Sequence, residues 1–164
     1  ARTQIMIRYI TENLARQSKA FQLLKLLLEE EYSRLMERKP QSVSRIEMPI
    51  QELMRQLAGE RITLKRLMNE AAPEGVRLRD LPGLLGGEAG EDATVWLAEI
   101  DELEQECSRQ AGKNQHLAMG LLDQSRGMLE FLHKKVQPKS ENTYSARGRF
   151  SKSSAGPKLL SGRL

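Results

Sequence analysis

A stretch of 45 residues without proline, 92–136, constrains the fold more than any other part of the sequence. Side chains that are mostly apolar recur there at alternating spacings of three and four, which is the pattern of a helix packed against other helices. The row consists of Trp96, Ile100, Leu103, Cys107, Gln110, Asn114, Leu117, Leu121, Gln124, Met128 and Phe131. At 1.5 Å per residue the helix would be about 67 Å long, more than a compact domain needs.

A second apolar row lies beside the first in the C-terminal half of this helix. It consists of Ala118, Leu122, Leu129, Leu132 and Val136, with Ser125 as the one polar interruption. Two adjacent rows make a broad apolar face, and we expect the other helices of a chain of this length to leave part of it uncovered. Uncovered faces of this kind are typical of partner-binding sites.

Two further long helices are predicted upstream. Residues 3–39 keep the same spacing from Ile7 to Leu35, with Thr3 as a possible N-cap. Pro40 is expected to end this helix, residues 41–48 to form a connector, and Pro49 to begin a second helix of about 24 residues that ends before Pro73.

Residues 73–91 would then form a short helix or loop over part of the bundle, followed by a flexible link at 86–90. This segment could act as a movable lid or as a loop with a hydrophobic plug. The predicted fold is therefore all-α: an elongated antiparallel bundle of three long helices, with a short extra helix or loop and a flexible C-terminal tail.

Charge and composition divide the chain at residue 136. Aromatic residues make up only 4% of the sequence, so a bundle formed by residues 1–136 would have a thin aliphatic core. Residues 137–164 carry six basic side chains and one acidic one among serines, glycines and prolines. Such a segment buries too little apolar surface to offset the cost of ordering it, which predicts a flexible basic tail.

The residues that carry chemistry are too sparse to indicate an enzyme. His116 and His133 lie 17 residues apart, about 25 Å along a helix, and therefore cannot share a metal. Cys107 is on the inward row, and residues 83–87 lack the lysine of a phosphate-binding loop. We therefore predict no catalytic, metal or cofactor site.

The cysteine count, the apolar runs and the makeup of the tail bear on the cellular location and the partners of the protein. The single cysteine excludes an internal disulfide framework and favours a reducing compartment. No secretory signal or membrane-spanning run is recognisable, which predicts a cytoplasmic protein without direct membrane insertion. The basic tail lacks interleaved aromatic residues, which argues against nucleic-acid binding.

Three amides occupy inward positions of the long helix: Gln110, Asn114 and Gln124. A polar group at such a position can determine helix register and partner choice at some cost in stability. Alternatively, these amides lie where the neighbouring helices have ended and the row faces water.

Parts of the sequence resemble the FlgN-type flagellar export chaperones. The run from Lys113 to Ser125 reads KNQHLAMGLLDQS, and with its continuation through Leu132 it is similar to the last helix of that family. Residues 23–32, LLKLLLEEEY, are similar to the family's first helix. Residues 142–149, NTYSARGR, are similar to its tail motif, although Ser145 stands where glycine commonly follows the tyrosine. Residues 73–91 also form a longer insertion than is usual.

The resemblance implies a cytoplasmic chaperone of flagellar type III secretion. Such chaperones bind C-terminal helical segments of the hook-filament junction proteins FlgK and FlgL, prevent premature assembly and deliver these subunits to the export gate. By position, the resemblance assigns client binding to Leu117, Leu121, Leu122, Met128, Leu129, Leu132 and Val136. It assigns docking to the export-gate protein FlhA to Tyr144.

A structural coiled-coil or self-associating adaptor without a secretion role is the alternative. In that case the second apolar row would close a homodimer or larger homo-oligomer.

Overall fold

The computed structural model describes residues 2–136, except for the side chain of Val136. Three long helices, α1 (Arg2–Met36), α2 (Pro40–Ala71) and α4 (Gly87–Val136), contain 35, 32 and 50 residues. Between α2 and α4 lie a 3₁₀ turn (Leu78–Asp80) and the short helix α3 (Leu81–Leu85). No strand occurs within residues 2–136, so the prediction of an all-helical fold with three long helices and a short extra one is confirmed.

The internal contacts group the chain into two units, residues 1–122 and 123–164. The predicted domain boundary at residue 136 stays a prediction, and the predicted flexible tail, 137–164, lies outside the described residues. In the first unit α1 and α2 are antiparallel, because Arg34 contacts Ser42 while Asn13 contacts Glu60. Helix α4 runs parallel to α1, because Cys107 contacts Phe21 and Asn114 contacts Leu28.

The core of the first unit is aliphatic and is built from the inward rows of the three long helices, as the spacing predicts. Apart from Phe21, its large buried side chains are leucine, isoleucine and methionine. On α4 the buried row includes Ala93, Ile100, Cys107 and Asn114. Together with Leu81 of α3, the buried hydrophobic residues of the three long helices form one core cluster. This cluster consists of Ile10, Leu14, Phe21, Leu24, Leu28, Ile46, Ile50, Leu53, Leu57, Leu64, Leu67, Met68, Leu81, Ala93, Ile100 and Cys107.

Asn13 ties α1 to α2. Its Nδ2 donates to the backbone carbonyl of Glu60 at 2.9 Å and to the carboxylate of Glu60 at 2.6 Å. Gln17, one turn along α1, donates to Asn13 Oδ1 at 2.7 Å. Both amides are buried, and Asn13 uses both its donors and its acceptor, so this contact favours one register of α2 against α1.

Asn114 ties α4 to α1 in the same way. Its Nδ2 donates to the carbonyl of Leu28 at 2.8 Å and to the carboxylate of Glu31 at 2.7 Å. Gln110 donates to Asn114 Oδ1 at 3.0 Å. For Asn114 and Gln110 the structure therefore supports the register interpretation, whereas Gln124 is exposed.

The predicted connector at 41–48 is wrong, because α2 already begins at Pro40 and contains Pro49. Pro40 occupies the first turn, where a proline costs no hydrogen bond. Ile46 and Ile50 are both buried, so the apolar row continues through the predicted connector. Their burial compensates for the hydrogen bond that Pro49 cannot donate. Helix α1 ends at Met36, three residues earlier than expected, and Thr3 lies within it rather than at its N-cap.

The predicted start of the long helix at residue 92 and the flexible link at 86–90 are also wrong. Helix α4 begins at Gly87, directly after the positive-φ residue Gly86. A Cβ atom at Gly90 would lie 2.4 Å from the carbonyl oxygen of Pro82, so only glycine permits this close approach of α3 to α4. Leu81 is fully buried against the bundle, which is the hydrophobic-plug arrangement.

Candidate protein-binding face

The apolar row of α4 loses its cover after Asn114. In the first unit, Leu117 and Leu121 are half-buried, while Met119 and Leu122 are exposed. These residues follow directly on the Asn114 contact with α1. The change from buried to exposed side chains therefore occurs inside a continuous helix and not at a helix end.

Four large apolar side chains are exposed within five consecutive residues of the second unit. Met128 is 60% exposed, Leu129 54%, Phe131 56% and Leu132 49%. Successive residues of a helix are rotated by about 100°, so these four side chains span about 160° of the helix circumference. We call these four residues the C-terminal apolar face. Leucine, phenylalanine and methionine are normally buried, so four together form a candidate partner-binding surface.

Charge accompanies this face on its C-terminal side. Lys135 Nζ lies 5.0 Å from the centroid of the Phe131 ring, within the range of a cation–π contact. His133, Lys134 and Lys135 form the last turn of α4, where basic side chains oppose the negative end of the helix dipole. The electrostatics therefore stabilise the helical conformation of the segment that presents the face.

The residues assigned to client binding from the resemblance fall into three groups. Leu122, Met128, Leu129 and Leu132 are exposed, and Leu117 and Leu121 are half-buried. Val136 is in α4, but its side chain lies outside the described part of the chain, as does all of Tyr144. Whether these residues bind a client or the export gate stays a prediction.

Phe131 is a site candidate that sequence reasoning missed. Its position in the inward row suggested burial in the core, yet it is 56% exposed beside Leu132. Phe131 lies three residues after Met128, and residues at this spacing lie on the same side of a helix. This spacing is the sequence signal that groups Phe131 with the exposed Met128.

Cys107, the single cysteine of the sequence, lies in the core of the first unit. The thiol of Cys107 is buried and lies 3.5 Å from the carbonyl oxygen of Phe21, and burial raises its pKa above the ordinary value. A raised pKa lowers the thiolate fraction and hence the reactivity. Among residues 2–136, no three His, Cys, Asp or Glu side chains are placed to hold a metal ion. Each helix of residues 2–136 is too short or too polar to span a lipid bilayer.

The chain is similar to a known protein family. The family model described as FlgN protein matches residues 6–152, most of the 164-residue chain. No curated protein and no solved structure matches the chain. The match covers the helices of the first unit from residue 6 onward and the segment with the C-terminal apolar face. The chain therefore belongs to the FlgN protein family, whose members are non-enzymatic cytoplasmic chaperones for the export of flagellar hook-associated proteins.

Proposed function

We propose that the C-terminal apolar face binds the C-terminal helical segments of the hook-associated proteins FlgK and FlgL. Leu117, Leu121, Leu122 and Val136 of the same helix are the further client-binding residues of this proposal. The exposure of Met128, Leu129, Phe131 and Leu132 is the observation that carries it.

The chemistry of the face fits an amphipathic helix as its client. Such a helix presents apolar side chains at spacings of three and four, and it gains stability when these side chains are buried against a complementary apolar surface. Full burial of a leucine side chain is worth about 1.5–3 kcal/mol. Because Leu129 and Leu132 are each about half exposed, the client could contribute roughly half of that amount per residue.

Leu129→Asp tests the binding face directly. We expect binding of purified FlgK, measured by isothermal titration calorimetry, to weaken at least one-hundredfold. The new carboxylate would have to be desolvated in the complex without a partner. Circular dichroism should show unchanged helicity, because the side chain is exposed in the free protein.

Val95→Asp is the matched control, because Val95 is 65% exposed on the first half of the same helix. It should leave the affinity within about twofold, since surface changes away from a site have small effects. Equal loss of affinity in both variants, or loss of helicity in Leu129→Asp, would contradict the proposal.

A second part of the proposal concerns Tyr144 and the export gate. We expect Tyr144→Ala to reduce capture of the cytoplasmic domain of FlhA while client binding stays unchanged. Deleting residues 139–164 should likewise spare binding of FlgK and FlgL. Loss of client binding on deletion would show that client and gate do not use separate segments.

Self-association is the alternative use of the same face. A second copy could cover Leu129 and Leu132 and form a homodimer. Sedimentation at several concentrations distinguishes the two cases. A tight oligomer that Leu129→Asp dissociates, combined with no affinity for FlgK, would favour the self-associating adaptor.

A further inference from the structure

The structure contains a second uncovered apolar region, in a different part of the chain from the C-terminal apolar face. A groove of about 910 Å³ lies between the start of α1 and the end of α2, and α3 contributes to its wall. We call it the α1–α2 groove. Ile10 and Leu67 in its lining are buried, and Ile5, Tyr9 and Leu84 are exposed at 52%, 53% and 39%. Helix α4 does not line it.

The arrangement of these side chains suits a helix rather than a small ligand. Ile5 and Tyr9 are one turn apart on α1, so they present neighbouring apolar groups along one direction. The groove is bounded by two antiparallel helices, a surface that an additional amphipathic helix can complete with its own apolar row.

The charges of the groove favour a carboxylate-bearing occupant. Arg2, Arg16 and Arg66 line it together with a single acidic residue, Glu70. Arg16 is already neutralised by Glu60, through contacts of 2.8 and 3.1 Å. Within residues 2–136, Arg2 and Arg66 form no ion pair and are available to a partner.

The same charges argue against the chain's own tail as the occupant. Residues 137–164 carry six basic side chains and one acidic one, so this segment lacks the carboxylates that the arginines of the groove favour. We propose that the α1–α2 groove binds an acidic amphipathic helix of a partner protein, at a site separate from the C-terminal apolar face.

Two synthetic peptides test this inference: a fluorescently labelled 16-residue helix of leucine and glutamate, and its counterpart with lysine in place of glutamate. Both are titrated by fluorescence anisotropy against the full chain carrying Leu129→Asp, so that the C-terminal apolar face is disabled. We expect the glutamate peptide to bind at least tenfold more tightly than the lysine peptide.

Arg66→Glu should weaken binding of the glutamate peptide at least tenfold. Arg45→Glu is the matched control, because Arg45 is also an exposed cation on α2 but does not line the groove. It should change the affinity by less than about twofold, given the screening of exposed charges.

Three results would overturn the inference. The first is binding of neither peptide, or of both equally. The second is equal effects of Arg66→Glu and Arg45→Glu. The third is a dimer in sedimentation that Arg66→Glu dissociates, which would identify a second copy of the chain as the occupant. Each result is independent of FlgK binding by the unsubstituted chain, so failure here is distinguishable from failure of the proposed function.

Discussion

Replacing Asn114 with alanine should destabilise the bundle substantially, although the substitution removes only a small polar side chain. Asn114 is 2% exposed and donates to the carbonyl of Leu28 and to the carboxylate of Glu31. A neutral hydrogen bond contributes about 1 kcal/mol to stability, and one to a charged group about 1.5–3 kcal/mol. Gln110 is half-buried, so water can satisfy the amide that loses Asn114 Oδ1.

The sum predicts a loss of about 2.5–4 kcal/mol in the free energy of unfolding. At about 2–4 °C per kcal/mol for a chain of this size, the melting temperature should fall by roughly 5–15 °C. Urea titration followed by circular dichroism at the helical band measures the first quantity, and a thermal scan measures the second. Glu31→Gln keeps an acceptor but loses the charge, so it should cost less than Asn114→Ala.

Gln124→Ala is the matched control for this experiment. Gln124 occupies the same row of α4 and is also an amide, but it is exposed. Its replacement should change the free energy of unfolding by no more than about 0.5 kcal/mol. Similar costs for the two alanine variants would refute the reasoning, because the register contact of Asn114 would then contribute nothing specific. Additive effects of Glu31→Gln and Asn114→Ala in a double-mutant cycle would refute the pairing.

Two further predictions follow from α2 and from the buried thiol. Pro49→Ala should raise the free energy of unfolding by about 2 kcal/mol in urea titration, because alanine restores the N–H donor that proline lacks inside a helix. An unchanged or lower value would mean that the backbone at residue 49 cannot form the usual helical hydrogen bond. Burial raises the pKa of the Cys107 thiol, so the folded state favours the protonated thiol. The stability that this thiol contributes is therefore complete below the unfolded-state pKa of about 8.5 and is lost as pH rises through the folded-state pKa. Native Cys107 should therefore react slowly with a thiol reagent at pH 8, and Cys107→Ala should weaken the alkaline decline in stability; rapid labelling without denaturant would contradict its burial.

The helical fold could be read from the sequence because helix periodicity is a local property. Apolar residues at spacings of three and four predict the inward face of a helix from its own residues alone. This spacing predicts the long rows of α1 and α4, and the core of the first unit uses them as far as Asn114. The family resemblance likewise depended on short local runs in these helices.

The structure differs from the sequence prediction where proline and glycine indicate helix boundaries. The sequence places Pro49 at the start of α2, but the helix accommodates it because Ile46 and Ile50 are buried on either side of it. The glycines at 86–90 predict a flexible link, yet Gly90 permits the close approach of α3. A residue that weakens an isolated helix can be tolerated when tertiary burial compensates, and single-sequence reasoning has no access to that burial.

Residue spacing and composition are enough to predict that the chain is helical, that its core is aliphatic and that α4 carries more apolar surface than one inward row requires. Which part of that surface is covered depends on how the helices pack. Asn114 and Gln124 are both amides of the same row, and the first is buried against α1 while the second is exposed. The physical reason is that periodicity depends on neighbours three or four residues away, whereas exclusion of water depends on residues far away in the chain.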